Sequence, residues 1–131
     1  MELIRTTDVL ELVNESGNWP IGGNAGYNPV QLVAVAAAAC STYIFEQLLA
    51  ERQIAGRALR VVFDYVQDDV YPQPIAQINV QLHMQADRSD WGSVQDVFLQ
   101  LPEHCPVLQS LHPRIRLNEQ IVFSDERPNI I

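Results

Sequence analysis

Residues 32–39, LVAVAAAA, are apolar on every face of a helix, and this stretch limits what the chain can fold into. It sits inside a longer helical pattern. Asn28 is a good N-cap, Pro29 suits the first turn, and the pattern runs to about Gln53, ahead of Gly56. At 1.5 Å per residue that is roughly 37 Å of helix. From Ile44 onward the helix is amphipathic, with Ile44, Phe45, Leu48 and Leu49 on one side and Glu46, Glu51 and Arg52 off that stripe. The first half has no polar face, so it must be buried all round. A chain of 131 residues has little material to surround such a helix. The small residues Ala34 and Ala36 to Ala39 allow another backbone close, so a second copy of the chain is expected to complete the burial as a homodimer. A central core helix in a monomer is the simpler alternative.

The rest of the chain alternates. Residues 1–15 read as one strand or a short hairpin, interrupted at Thr6, Thr7 and Asp8, and residues 16–28 as a loop of Gly, Asn and Pro. Its glycines do not have the GxGxxG spacing of a phosphate loop. Leu59, Val61, Phe63 and Tyr65 face one way, as do Ile78, Val80, Leu82 and Met84 between Gln77, Asn79, Gln81 and His83. Both are half-buried strands joined by a loop over 67–74. Asp87 and Asp90 offer N-caps for a helix striped by Trp91, Val94, Phe98 and Leu101, which Pro102 should end. Cys105-Pro106 then opens a short helix over 107–111, residues 115–123 form a last strand, and 124–131 a tail. This order predicts one α+β domain over 1–131, with mostly antiparallel pairing.

Composition excludes several functions. The net charge of −8 and pI near 4.6 argue against nucleic acid and against anionic membrane surfaces. The eight cations are all Arg, which removes Walker-type phosphate binding and Schiff-base chemistry. The N-terminus lacks a signal-peptide pattern, and the most apolar stretch, 32–40, is too short to span a bilayer, so the expected location is cytoplasmic. Two Cys and three scattered His make no zinc pattern, and no metal is expected. Ser41 lies mid-helix outside any nucleophile-elbow motif. Asp68, Asp69 and His83 read as solvated side chains, His104 and His112 as loop residues flanking Cys105, and Trp19, Trp91 and Tyr27 as packing groups.

The two Cys remain. A buried Cys is commonly inert, and Cys40 within an Ala-rich helix fits that description. Cys105 stands at a helix start, where unpaired N–H groups favour a thiolate. On local grounds it should be the more acidic of the two.

The segment NPVQLVAVAAAAC, from Asn28 to Cys40, resembles the NPxQLxxAAxxAC segment of the OsmC/Ohr family, and Cys105-Pro-Val107 its second motif. With the strands between and after them, the likeness covers residues 28–123. It implies an intertwined α+β homodimer, with antiparallel sheets around two long helices. It also implies thiol-dependent reduction of organic, including fatty acyl, hydroperoxides without cofactor. Cys40 would be oxidised to sulfenic acid and Cys105 would resolve it as a transient disulfide. A lipoyl or thioredoxin-like dithiol would then reduce the disulfide. Peroxidatic members carry a Glu in the first helical turns, paired with an Arg. Here the two aligned positions hold Val30 and Gln31, and Arg5 is the one Arg before the helix. The competing expectation is a non-enzymatic dimer that holds a hydrophobic small molecule in its interface cleft. A third is a chain that acts through a protein partner.

Overall fold

A computed structural model describes residues 1–5 and 8–124. They divide into two compact units, one up to Val33 and one from Ala34 on. The first holds a three-stranded antiparallel meander, β1 (Leu3–Arg5), β2 (Leu10–Leu12) and β3 (Trp19–Ile21). Leu3 pairs with Leu12, and Leu10 with Ile21. The hairpin expected over 1–15 is therefore present, although Thr6 and Thr7 of its interruption lie outside the described residues, as does the expected tail from 125. The segment expected to be all loop contains β3. Pro20 opposes Glu11 there on an edge strand, where a missing N–H costs no ladder bond. After β3 the chain turns sharply. Gly22 and Gly23 take φ of 86° and 67°, and Gly22 N–H donates to the Tyr27 carbonyl at 2.7 Å. A Cβ at Gly26 would lie 2.0 Å from the Pro20 carbonyl oxygen, so no larger residue fits without moving backbone. Trp19 and Tyr27 are exposed in this unit rather than packed.

Helix α1 (Pro29–Glu51) begins with the expected cap. Asn28 Oδ1 accepts from Gln31 N–H at 2.8 Å, and Gln31 Oε1 accepts from Asn28 N–H at 2.9 Å. This reciprocal box satisfies two donors otherwise unpaired at a helix start. The helix stops two residues before its expected end. Gln53 takes φ of 59°, and Ile54 N–H returns to the Leu49 carbonyl at 2.9 Å, the pattern that closes a helix C-terminus.

In the second unit α1 packs on a sheet of order β4 (Gly56–Gln67), β5 (Ile75–Ala86), β6 (Arg116–Ser124). Ala34, Ala37, Ala38, Ser41, Thr42, Phe45 and Leu49 form its buried face. They recur at three and four residues, as a single packed face requires. At 23 residues and mean hydropathy 1.6, α1 is long and apolar enough to cross a membrane by those measures, which residues 32–40 alone are not. Its buried face is nonetheless built into this core. Its other face is left open among the described residues: Ala36, Ala39 and Tyr43 are exposed.

Ile78, Val80, Leu82 and Met84 of β5 are buried as their alternation predicts. β4 departs from its pattern at Leu59. Ala58 pairs with Met84 and Arg60 with His83, so Leu59 falls in a bulge and is partly exposed. β4 and β5 are antiparallel, but β5 and β6 are parallel, Val80 opposite Glu119, and this corrects the expectation of antiparallel sheets. The cause is the crossover between them. A tight turn can only reverse a strand, whereas a helical connection of this length carries the chain back to run alongside β5. It comprises a 3-10 turn (Arg88–Asp90), α2 (Trp91–Phe98), α3 (Leu101–His104) and α4 (Pro106–Ser110). Asp87 and Asp90 make no side-chain cap bond. Pro102 does not end a helix; α2 stops earlier and Pro102 lies in the first turn of α3, where its lost N–H is unneeded. Trp91 stacks on Phe123 at 4.6 Å and donates Nε1–H to the Ala86 carbonyl, and Phe45 meets Phe98 edge-on at 5.5 Å.

Candidate active site: two thiols in one core

Cys40 sits three turns into α1 and is half-buried; Cys105 is fully buried; both are free thiols. Pro106 forces Cys105 into extended backbone, φ −90° and ψ 112°, so it becomes the N-cap of α4 rather than part of a longer helix. The Cys105 carbonyl accepts the first intrahelical bond, from Gln109 N–H at 3.0 Å. Its side chain enters the cluster of Phe45, Val97, Leu101 and Leu108, against which Cys40 also packs. The two thiols thus share one cluster, and Cys40 is near enough to Cys105 to act on its proton affinity.

The expectation that Cys105 is acidic reverses here. Burial pushes its thiol up, the neighbouring Cys40 pushes the same way, and the N–H groups of Leu108 and Val107 pull it only part of the way back. The local effect at the helix start exists, but desolvation outweighs it.

Glu119 is a buried acid that the sequence reading passed over. It occupies the inward face of β6, in the series Leu117, Glu119, Ile121, Phe123, where alternation otherwise places hydrocarbon. Its Oε2 is buried without a hydrogen-bond partner, and so is Ser41 Oγ on α1. Burial raises the carboxyl, and the Ser41 hydroxyl beside it draws it partly down without closing a hydrogen bond. A Glu inside an apolar strand pattern was the available signal.

This carboxyl has a consequence for stability. Its folded value lies above the ordinary 4.5, so the folded state holds its proton more tightly than the unfolded chain does. Stability from this group is full below the unfolded value and falls as pH rises to the folded one, then levels. Urea midpoints measured across that range should show the decline in the wild type and lose it in Glu119→Gln. Equal curves for the two proteins would show that Glu119 does not carry it.

Arg5 stands in β1 of the first unit, its Nη1 donating to the Asp8 carbonyl at 2.9 Å. Val30 and Gln31 lie in the opening turn of α1, where the Gln31 side chain serves the cap. Asp68 and Asp69 are exposed, as expected, and so are His104 and His112; His112 Nδ1 accepts from Arg114 N–H at 3.0 Å. His83 is half-buried and hydrogen-bonds Gln81 at 2.9 Å. Among the described residues no cluster of three or more His, Cys, Asp or Glu side chains could hold a metal ion. A groove of about 350 Å³ runs between α1 and β4, lined in part by Val35, Ala39, Tyr43, Leu59 and Phe63.

None of the curated proteins matches the chain. Among solved structures, a hypothetical protein from Aquifex aeolicus VF5 is similar, with 16% identity, a TM-score of 0.77 and 96% of each chain covered. The OsmC-like protein from Mycoplasma pneumoniae is similar at 10% identity and a TM-score of 0.73, over 93% of this chain and 94% of that one. The organic hydroperoxide resistance protein OhrB of Bacillus subtilis is similar at 18% identity and a TM-score of 0.63, over 92% and 96%. These likenesses establish the fold. The family model described as OsmC-like protein matches residues 22–120, a span that includes both cysteines, and the chain therefore belongs to the OsmC-like family.

Proposed function

We propose that this chain is a thiol peroxidase that reduces apolar organic hydroperoxides, with Cys40 as the attacking thiol and Cys105 as the resolving one. The observation that carries this is the pairing of a half-buried thiol with a fully buried one, packed in a single cluster on an OsmC-like fold. A peroxide entering from solvent meets Cys40 first. Cys40 sulfur attacks the distal peroxide oxygen, the O–O bond breaks, and the alcohol leaves with a proton. Cys105 then displaces water from the sulfenic sulfur to give a disulfide. A dithiol of lipoyl or thioredoxin type restores both thiols. Arg5 is the proposed supporting cation, by chain position alone, and the reducing cytoplasm is the proposed setting. OhrB, named for organic hydroperoxide resistance, shares the fold and lends the substrate class.

The test is intact mass with thiol alkylation, before and after one equivalent of cumene hydroperoxide. The wild type should lose both thiols as an intramolecular disulfide, and Cys105→Ser should retain an oxidised Cys40. Two thiols that survive the peroxide and alkylate only after unfolding would sink the proposal.

The groove between α1 and β4 favours a second reading, in which the chain binds a hydrophobic small molecule without turnover. Either function is proposed for a homodimer in which a second copy covers Ala36, Ala39 and Tyr43 of α1. Light scattering should then give twice the 14.8 kDa chain mass. A monomer at micromolar concentration would refute the dimer.

A further inference from the structure

A cavity of about 450 Å³, within the range of small-molecule pockets, opens where β5 and β6 begin, and neither cysteine lines it. The topology builds it from two turns. β5 and β6 run parallel with Gln77 opposite Arg116, so the residues leading into the two strands lie side by side. The first turn joins β4 to β5. Asp68 N–H donates to the Pro74 carbonyl at 2.9 Å, and the Gln67 side-chain amide donates to the Gln73 carbonyl at 2.9 Å, which ties the two legs of this loop together. The second turn leads into β6. Ile115 N–H donates to the His112 carbonyl at 2.9 Å, and Arg114 N–H to His112 Nδ1 at 3.0 Å. Each wall is therefore held by its own hydrogen bonds, without a ligand.

The lining divides by chemistry. Pro74, Ile75 and Ile115 give it an apolar part, and both Ile side chains pack against the core. One turn brings the Arg114 guanidinium and the His112 imidazole, and the other brings the Asp68 carboxylate. Because His112 Nδ1 accepts a backbone N–H, the neutral ring carries its proton on Nε2 and donates from there. Asp68 and Arg114 line the same cavity without meeting: among the described residues neither stands in an ion pair. Two opposite charges that share a cavity and do not touch can be bridged by one molecule that carries the complementary charges in reverse order.

We propose that this cavity binds a free α-amino acid with an apolar side chain. Its carboxylate is held by the Arg114 guanidinium and the His112 Nε2–H, its ammonium by Asp68, and its side chain by Pro74, Ile75 and Ile115. Charge-assisted hydrogen bonds at both ends set its orientation, and the apolar part selects the side chain. A simple carboxylic acid would leave Asp68 facing no cation, and a simple amine would leave Arg114 facing no anion. The site is independent of the peroxide chemistry, since no thiol takes part.

The experiment is a titration of the full chain, labelled with nitrogen-15, with L-leucine up to about 10 mM, read from the backbone amide signals of Asp68, Ile75 and Ile115. These signals should move saturably. 4-Methylpentanoate, which lacks the ammonium, and 3-methylbutylamine, which lacks the carboxylate, should each bind about tenfold or more weakly. Glycine, which keeps both charges and no hydrocarbon, should also bind more weakly. Arg114→Gln and Asp68→Asn should each weaken L-leucine by about tenfold or more. Both residues are exposed, so these variants should keep the wild-type spectrum away from the cavity. L-leucine that leaves the three signals unmoved would overturn the inference, as would equal affinity in the wild type and either variant. So would 4-methylpentanoate binding as tightly as L-leucine, because the cavity would then be a plain carboxylate site to which Asp68 contributes nothing.

Discussion

Replacing Cys40 with serine should abolish steady-state consumption of cumene hydroperoxide, lowering the rate by on the order of a thousandfold or more. The physical reason is the nucleophile. A thiolate is available in part near neutral pH, whereas a serine hydroxyl without an adjacent base stays protonated and attacks peroxide oxygen poorly. Nothing in α1 supplies that base, since Cys40 is followed by Ser41 and flanked one turn away by Ala37 and Ile44. The measurement is peroxide loss with dithiothreitol as reductant, on wild type and Cys40→Ser at equal concentration, with elution volume as the check on folding. Cys105→Ser should behave differently. It should oxidise once as quickly as wild type and then depend on the reductant reaching Cys40 directly. A Cys40→Ser protein that keeps a tenth of the wild-type rate would place the chemistry elsewhere in the chain. The contrast between the two serine variants assigns attack and resolution separately.

The largest structural effect is expected at Phe45. It is fully buried on the α1 face that meets the sheet, and its ring packs edge-on against Phe98 at 5.5 Å. Truncation to alanine removes both the transfer energy of the ring and its contacts with α2, and leaves a cavity that the α1 backbone cannot collapse. The expected cost is about 3–5 kcal/mol, a large part of the 5–15 kcal/mol that holds a typical domain together. Urea denaturation should show a lower midpoint with little change in slope. A loss under about 1 kcal/mol would mean that the α1–α2 contact is not a main support of the core. Because Cys40 and Cys105 pack in the same cluster, the variant should also alkylate faster at Cys105.

Much of this architecture was legible wherever one rule acts alone. The period of two over Ile78 to Met84 marks a strand with one buried face, and that face is buried. Asn28, Pro29 and Gln31 announce a helix start through local hydrogen bonding, and the cap forms as written. Other features were hidden because two effects compete. β3 is three residues long, and Pro20 and the glycines after it look like loop until β2 is there to pair with them. Leu59 follows the alternation of its strand but falls in a bulge that only the partner strand defines. The direction of β6 is not encoded locally, since an inward–outward pattern serves parallel and antiparallel neighbours alike. For the site, the two cysteines were singled out by elimination, and the resemblance of their motifs supplied the roles expected of them. The acidity inferred for Cys105 counted the helix N–H groups and left out the hydrophobic cluster around it. Glu119 was visible all along as the one acid in an apolar series, and only the structure shows Ser41 beside it.

The parallel β5–β6 pairing also bears on the order in which the molecule assembles. During synthesis α1, β4 and β5 leave the ribosome before the crossover and β6. The β4–β5 hairpin can form from near neighbours, but β5 keeps one bare edge until some thirty further residues have emerged. That edge is flanked by a wholly apolar inner row, Ile78 to Met84, the kind of surface that captures other nascent chains. The outward row beside it is Gln77, Asn79, Gln81 and His83, side chains that hold water and discourage sheet-to-sheet stacking while the edge waits. Slow translation through the crossover would lengthen that exposure, so yield of native chain should respond to elongation rate more than its thermodynamic stability would suggest.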